Sequence, residues 1–222
     1  MLIVLEGLDG AGKSTQIKML SEIFKGRGME CEYLHFPRFT APLYGELIAK
    51  FLRGELGALD QVDPHLVALI YAGDRGDAAS IIRGWLDEGK VVILDRYVYS
   101  NVGYQCGKVE SREERKELAE WILDMEYNHF GIPRPDISLF LDVPFQFTKD
   151  RLAEQREGED REYLKGKKDI HESSLDLQIR VRDSYLLAAE SDPQLKIVDC
   201  STEDGEMGSP EVIFSRIMEY VK

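Results

Sequence analysis

The sequence predicts an α/β domain with a doubly wound, parallel five-stranded sheet and helices on both faces. Five short apolar runs rich in Val, Ile, Leu or aromatic residues predict the strands: Leu2–Leu5, Cys31–Phe36, Val91–Leu94, Ile137–Leu141 and Leu195–Val198. Because these runs lack polar alternation, both faces of each strand should be buried. Long segments with helical periodicity separate most of the runs, which is the order expected of parallel strands joined by crossover helices.

The first predicted helix follows the opening strand and runs from about Lys13 to Phe24, where glycines end it. Six more helices are predicted, at Pro42–Arg53, Pro64–Glu88, Ser111–Asn128, Pro144–Gln155, Ile170–Glu190 and Pro210–Val221. The stretches Arg156–Lys168 and Ser201–Ser209 show no regular pattern. The whole length, residues 1–222, fits a single domain.

Composition limits the classes of partner. The formal net charge of -13 argues against polymeric DNA or RNA, which basic surfaces usually bind. The three cysteines have neither metal-site spacing nor a disulfide pattern. Since no leader pattern and no apolar run near the ~20 residues of a membrane span is present, we expect a cytoplasmic protein with no membrane contact.

Residues 7–14, GLDGAGKS, fit the phosphate-loop pattern G-x-x-x-x-G-K-[ST]. Phosphate oxygens need several backbone N–H groups at once, and glycines let the chain curl tightly enough to supply them. The pattern lies between an apolar run and a helix, which is the context it requires. The predicted ATP-binding residues are Gly7, Gly10, Ala11, Gly12, Lys13, Ser14 and Thr15.

A bound nucleoside triphosphate requires Mg²⁺ and a second carboxylate near the loop. Asp95 ends the buried run Val91–Leu94 and is favoured for this role because the cation Arg96 follows it directly. Asp142 ends another run in the same way and competes with it. Ser14 would offer its hydroxyl to the metal.

A phosphate loop occurs in signalling GTPases, in motor or assembly ATPases and in small-molecule kinases. A signalling GTPase would need an N-K-x-D motif, which the sequence lacks, and nothing requires the partner surfaces of a motor or assembly ATPase. A small-molecule kinase needs arginines to gather phosphate charge and a flap to exclude water. Arg38, Arg75 and Arg96 are candidates for the first, and the cation-rich segment Arg151–Lys168 for the second. On charge alone, that segment would more often be a solvated loop.

The motifs GLDGAGKST, FPR at Phe36–Arg38, DRYVYSNVGYQ at Asp95–Gln105 and PDISLFLDV at Pro135–Val143 together resemble the thymidylate kinase family. The resemblance implies a phosphate-loop nucleoside monophosphate kinase with a mobile lid at about residues 151–168. It also implies transfer of phosphate from ATP to dTMP with Mg²⁺, and a homodimer.

Residue roles follow from the resemblance one position at a time. The implied dTMP-binding residues are Asp9, Arg38, Tyr71, Arg75, Arg96, Ser100, Asn101, Tyr104, Gln105 and Glu172. The implied metal site comprises Ser14, Asp95 and Asp9, and the implied catalytic residues are Lys13, Arg96, Arg156 and Arg161. Asp9 would lie near the deoxyribose 3′-hydroxyl, with Glu172 on the same side. Where some relatives have an arginine after the loop aspartate this chain has Gly10, so the lid should supply the catalytic arginine.

Several alternatives stay open. The acceptor could be another nucleotide or a nucleoside, or the protein could be a nucleotide-binding module without turnover. By pattern alone Tyr71 is a core residue, His171 is a surface residue and Cys106 is a buried, inert thiol.

Overall fold

The computed structural model describes residues 1–153, 159–167, 169–171 and 174–221; of residues 151–153 and 159–161 only the backbone is described. The strands are β1 (Leu2–Gly7), β2 (Cys31–His35), β3 (Val91–Asp95), β4 (Ile137–Asp142) and β5 (Leu195–Asp199). They form an all-parallel sheet with the order β2-β3-β1-β4-β5, which confirms the predicted five-stranded fold. The central position of β1 places the phosphate-loop motif in the middle of one sheet edge.

Helices connect and cover these strands. They are α1 (Lys13–Gly26), α2 (Tyr44–Leu52), α3 (Pro64–Asp87), α4 (Val98–Cys106), α5 (Arg112–Asp124), α6 (Phe145–Ala153), α7 (Leu175–Ser191) and α8 (Pro210–Met218). Local capping explains where some of them begin. The side chain of Asp63 accepts from His65 N before α3, and the side chain of Ser111 accepts from Glu114 N before α5.

Successive strand residues alternate between two buried layers, because side chains along a strand point to opposite faces. Leu2 and Val4 pack with α3, α4, α5 and α7 on one face. Ile3 and Leu5 pack with α1 and α8 on the other. Burial on both faces explains why the strands appear in the sequence as continuous apolar runs.

Helix α4 was not predicted. All nine of its residues are buried, so it has no polar face to produce an amphipathic pattern. Its residues belong to the motif DRYVYSNVGYQ, and they lie directly after β3.

Other boundaries also differ from the sequence prediction. Part of the stretch Arg156–Lys168 was wrongly predicted to lack regular structure, since a 3₁₀ helix covers Glu159–Leu164. A π-helical turn, Met125–His129, continues α5. Helix α7 begins at Leu175 rather than Ile170. Ser174 caps its amino terminus, and the side chain of Ser174 accepts from Leu177 N. Across the described residues, no helix is long and apolar enough to span a bilayer.

Candidate active site

The phosphate loop joins β1 to α1 at the carboxyl edge of the sheet. Gly12 adopts φ +82° and precedes the first turn of α1, so that the helix amino terminus opens onto the loop. A Cβ on Gly7 would lie 3.2 Å from Ala11 Cβ and 3.3 Å from Leu141 O, and Gly7 also has φ +153°. Steric and conformational constraints together explain why glycine occupies these two positions.

Lys13 lies under this loop. Its Nζ donates to Gly7 O at 3.3 Å and to Leu8 O at 3.2 Å, and lies 4.0 Å from Asp95 Oδ1. Burial, reinforced by Arg96, lowers the pKa of Lys13 to about 8, against the opposing effect of nearby carboxylates. The ammonium group therefore remains mostly protonated at neutral pH and can pair with phosphate.

Asp95 fits the second metal position better than Asp142. Its Oδ1 is buried without a hydrogen-bond partner among the described residues. Burial would raise the pKa of Asp95, but Lys13 and His35 outweigh burial and the pKa is lowered. Asp142 is instead held by Arg182 through two hydrogen bonds of 2.6 and 2.7 Å.

The donor set near Asp95 suits Mg²⁺ bound largely through water and phosphate oxygens. Ser14 is exposed at the start of α1 and lines the same cavity as Asp9 and Asp95. The described residues contain no cluster of three or more His, Cys, Asp or Glu side chains that could hold a metal by themselves. Mg²⁺ typically binds through one or two carboxylates plus substrate phosphates, so this sparse set fits it.

A cavity of about 1030 Å³ adjoins the loop. Nine of the ten residues implied for dTMP binding line it: Asp9, Arg38, Tyr71, Arg75, Arg96, Ser100, Asn101, Tyr104 and Gln105. The tenth, Glu172, lies outside the described residues, as do the side chains of Arg156 and Arg161. Residues between positions 9 and 105 therefore converge on one space.

Arg96 stands between the loop and the cavity. Its Nη2 donates to Asp9 Oδ1 at 2.8 Å, and its Nη1 donates to Ser100 Oγ at 3.2 Å. Its backbone has φ +67°, a region that non-glycine residues seldom occupy and that is often found at functional sites. Tyr104 donates to the other Asp9 oxygen at 2.9 Å, so the loop carboxylate is held by both side chains.

Arg38 approaches the cavity from the segment after β2. Its Nε donates to Asp74 Oδ1 at 2.9 Å, and its Nη2 donates to Asp77 Oδ2 at 2.7 Å. Among the described residues its Nη1 has no hydrogen-bond partner. The acids fix the guanidinium while leaving one of its nitrogens for a ligand.

Arg75 and Asn101 lie deeper in the cavity wall, and the buried carboxylate of Glu126 organises both. Arg75 makes a forked pair with Glu126, with distances of 2.5 Å and 2.6 Å. Asn101 Nδ2 donates to Glu126 Oε1 at 2.8 Å and to Ala68 O at 3.0 Å. These two donations fix the amide orientation, and they leave Asn101 Oδ1 buried without a partner within the described part of the chain.

Tyr71 packs against the α2–α3 apolar cluster and also lines the cavity, so it belongs both to the core and to the cavity wall. Gln105 accepts from Lys108 Nζ at 2.6 Å. Cys106 is buried, and burial raises the pKa of its thiol to about 12, in agreement with an inert thiol.

Sequence reasoning missed Glu6. It is fully buried at the end of β1 and accepts from Ser100 Oγ at 2.5 Å, Tyr97 N at 2.9 Å and Tyr185 OH at 3.0 Å. Burial raises the pKa of Glu6 against these hydrogen bonds. A carboxyl group inside an otherwise apolar run was the available signal.

The prediction of His171 as a surface residue was wrong. The residue is only 6% exposed, because the segment before α7 packs against α2, where Ile170 N donates to Leu52 O at 3.0 Å. Tyr163, also missed, stacks on Phe39 with ring centres 3.7 Å apart. Neither contact can be read from local sequence.

A sequence profile described as "Thymidylate kinase" matches residues 5–207. The chain belongs to the thymidylate kinase family. Members of this family are enzymes that phosphorylate dTMP to dTDP with ATP as the phosphoryl donor.

Individual relatives agree with the profile. A "Probable thymidylate kinase" of Thermococcus kodakarensis is 35% identical over 218 residues, covering 96% of this chain and 95% of the relative. The "Thymidylate kinase" of Mycobacterium tuberculosis is 36% identical over 151 residues, covering 68% of this chain and 70% of the relative. The solved thymidylate kinase of Candida albicans superposes with a TM-score of 0.72 at 23% identity, covering 99% and 90% of the two chains, and so shares the fold.

Proposed function

We propose that this thymidylate kinase family member transfers the γ-phosphoryl group of Mg-ATP to the 5′-phosphate of dTMP, giving ADP and dTDP. The observation that carries the proposal is the pairing of Arg75 with Asn101 in the cavity wall, both fixed by Glu126. Together they present a hydrogen-bond donor beside a buried acceptor oxygen.

That pairing is complementary to thymine. Thymine offers O4 as an acceptor for the Arg75 guanidinium and N3–H as a donor for Asn101 Oδ1. Cytosine reverses both groups, since it has an amino group at C4 and a lone pair at N3. A buried polar site left unpaired by the wrong base discriminates strongly, so dCMP should be a poor substrate.

Arg38 and Arg96 would hold the acceptor phosphate, because forked guanidinium groups suit phosphate oxygens. Lys13 would neutralise the transferring phosphoryl group from the loop side. The acceptor phosphate is already anionic, so the chain needs no strong general base. Positioning and electrostatic stabilisation would then supply most of the catalysis.

Ser14, Asp95 and Asp9 would hold Mg²⁺ beside the phosphates, where it would neutralise charge on the phosphate oxygens. Asp9 would also accept from the 3′-hydroxyl of the acceptor sugar, with Glu172 on the same side. The lid arginines Arg156 and Arg161 would stabilise charge during transfer. We assign all of these residues to one kinase domain over residues 1–222, with a lid at about 151–168.

We also propose a cytoplasmic homodimer. Apolar side chains are exposed on two neighbouring helices: Leu66 (59%) and Leu69 (45%) on α3, and Trp121 (40%) on α5. The ring of His65 on α3 contacts the ring of Trp121. An exposed apolar patch of this kind favours association of two copies. Light scattering should give twice the chain mass, and Leu69→Glu should give the single-chain mass; a monomeric wild type would contradict the proposal.

ADP release from Mg-ATP with a panel of acceptors tests the activity. The panel comprises dTMP, dUMP, ribo-TMP, dCMP, AMP, GMP and thymidine; GMP is included because guanine presents the same acceptor and donor pair as thymine. We expect efficient turnover with dTMP and at least a ~10²-fold lower kcat/KM with dCMP. Turnover with another acceptor alone would keep the kinase and exclude the proposed base site. ATP binding without any turnover would favour a regulatory module.

A further inference from the structure

His171 lies in the short turn before α7 and lines the acceptor cavity. Its ring stacks on Tyr104, with ring centres 4.8 Å apart and an interplanar angle of 27°. On another side it meets Phe51, whose ring centre is 5.3 Å away in an edge-on arrangement. These two aromatic contacts fix the position of the imidazole in the cavity wall.

The Nε2 atom of His171 is buried and has no hydrogen-bond partner among the described residues. Such an unpaired buried polar atom is costly and calls for an explanation. Two other unpaired buried atoms also belong to cavity-lining residues, Asn101 Oδ1 and Asp95 Oδ1. The proposed function gives each of those two a ligand partner, and His171 Nε2 is the member of this set that still lacks one.

The chemistry of the imidazole narrows the choice of partner. Burial, reinforced by Lys108 and by Arg96 against the opposing charge of Asp9, holds the pKa of His171 well below its usual range. A neutral imidazole can donate or accept at Nε2, depending on its tautomer. That suits a hydroxyl group, which can do the same, better than an anionic phosphate.

The position of Tyr104 identifies which hydroxyl is meant. Tyr104 contacts both Asp9 and His171. Its hydroxyl donates to Asp9 Oδ2 at 2.9 Å, and its ring stacks on the ring of His171. Asp9 is the carboxylate that the proposed function places near the acceptor 3′-hydroxyl. Asp9, Tyr104 and His171 therefore surround the same part of the cavity.

We propose that His171 Nε2 hydrogen-bonds the 3′-hydroxyl of the acceptor deoxyribose and contributes to selection of the acceptor. The inference rests on the proposed dTMP kinase activity and deepens it. It assigns a binding role to a residue that neither charge pattern nor spacing singles out.

The test compares kcat/KM for dTMP and for 2′,3′-dideoxy-TMP in the wild type, His171→Phe and His171→Gln. Phenylalanine keeps both ring contacts but removes Nε2. We expect His171→Phe to lower kcat/KM with dTMP about tenfold, the loss expected for one neutral hydrogen bond, and to leave the dideoxy substrate unchanged. Glutamine, whose amide can reach a similar position, should recover part of the loss.

Equal losses on both substrates would assign His171 a packing role and overturn the inference, and so would no loss on either. Unchanged turnover of the dideoxy substrate shows in the same experiment that His171→Phe is folded. The exposed residue His129 provides a matched control, since His129→Phe should change neither value. If the wild type does not turn over dTMP at all, the proposed function fails, which is a distinct result.

Discussion

The phosphate loop and the acceptor cavity are built from different materials, although both are expected to bind phosphate-bearing ligands. The loop uses the backbone of consecutive residues, with glycines at the tight positions. The cavity uses side chains that are far apart in sequence, and so do the contacts behind its wall: Arg75 and Glu126 are 51 residues apart, and Glu6 and Tyr185 are 179 apart.

The difference has an energetic consequence. Backbone N–H groups at a helix start need no charged partner before the ligand arrives. The cavity holds buried charges, and in the absence of ligand each of them needs a hydrogen-bonding or oppositely charged side chain as a partner. Substitutions in the loop should therefore affect mainly catalysis, whereas substitutions behind the cavity should also affect stability.

Arg96 links the two regions, so its loss should have the largest effect. Arg96→Ala removes a proposed phosphate ligand and leaves Asp9 with Tyr104 but without the hydrogen bond from Arg96. We expect kcat/KM for dTMP to fall about 10³-fold, at the upper end for removal of one charge-stabilising donor. Steady-state kinetics measure the loss of activity with dTMP, and binding of a fluorescent ATP analogue measures the effect on the ATP site. Retained turnover would show that Arg96 does not bind the acceptor.

Lys13→Met tests the loop alone. The ammonium group of Lys13 would stabilise the transferring phosphoryl group, so its removal should lower kcat by about 10²–10³-fold. Binding of dTMP should stay near normal. Calorimetric titration with dTMP checks the second part. The exposed lysine of the same helix supplies the control, since Lys18→Met should retain full activity. Weakened dTMP binding in Lys13→Met would contradict a division between the two regions.

Glu126→Gln tests the support behind the cavity. Arg75 is almost completely buried, so loss of its charged partner leaves an uncompensated cation. We expect the free energy of unfolding to fall by about 3 kcal/mol in urea titrations. The exposed pair Arg112–Glu190 is the matched control, and Glu190→Gln should cost less than about 0.5 kcal/mol. Similar losses in both variants would refute the distinction.

Glu6→Gln tests whether a residue that touches neither ligand positions Arg96. Glu6 accepts from Ser100 Oγ, and Ser100 in turn accepts from Arg96. An amide NH₂ cannot accept, so Ser100 should turn and Arg96 should lose a partner. We expect about a tenfold rise in KM for dTMP with KM for ATP unchanged, consistent with loss of one charged hydrogen bond. The exposed Glu22→Gln is the control; equal changes in both KM values would indicate general disruption.

The effect of Lys108 should be seen as a pH dependence of stability. Burial lowers the pKa of Lys108 to about 7, below its value in the unfolded chain. Above pH 7 the unfolded chain binds more protons, so the stability of the wild type relative to Lys108→Met should rise between pH 7 and 9. The limit for one proton is about 1.4 kcal/mol per pH unit. Urea titrations across this range measure this rise; a stability difference that does not change with pH would show that Lys108 stays solvated.

The sequence by itself determined the sheet, the loop and the class of chemistry. The five apolar runs correspond to β1–β5, because burial on both faces leaves a local pattern of continuous apolar residues. The motif at residues 7–14 specifies its own backbone through glycines, and the nearby lysine comes with it. The residues proposed to bind dTMP came from resemblance rather than from pattern, and nine of them line one cavity.

Only the tertiary structure decided how those residues are held. Asp95 and Asp142 end similar strands, and the pairing of Asp142 with Arg182 separates them. Helix α4 shows no periodicity because it is buried on every side. Glu6, Glu126 and His171 owe their roles to partners from distant segments. A polar residue gains a particular function only when folding removes water and brings its partner within hydrogen-bond distance, and no local pattern records that encounter.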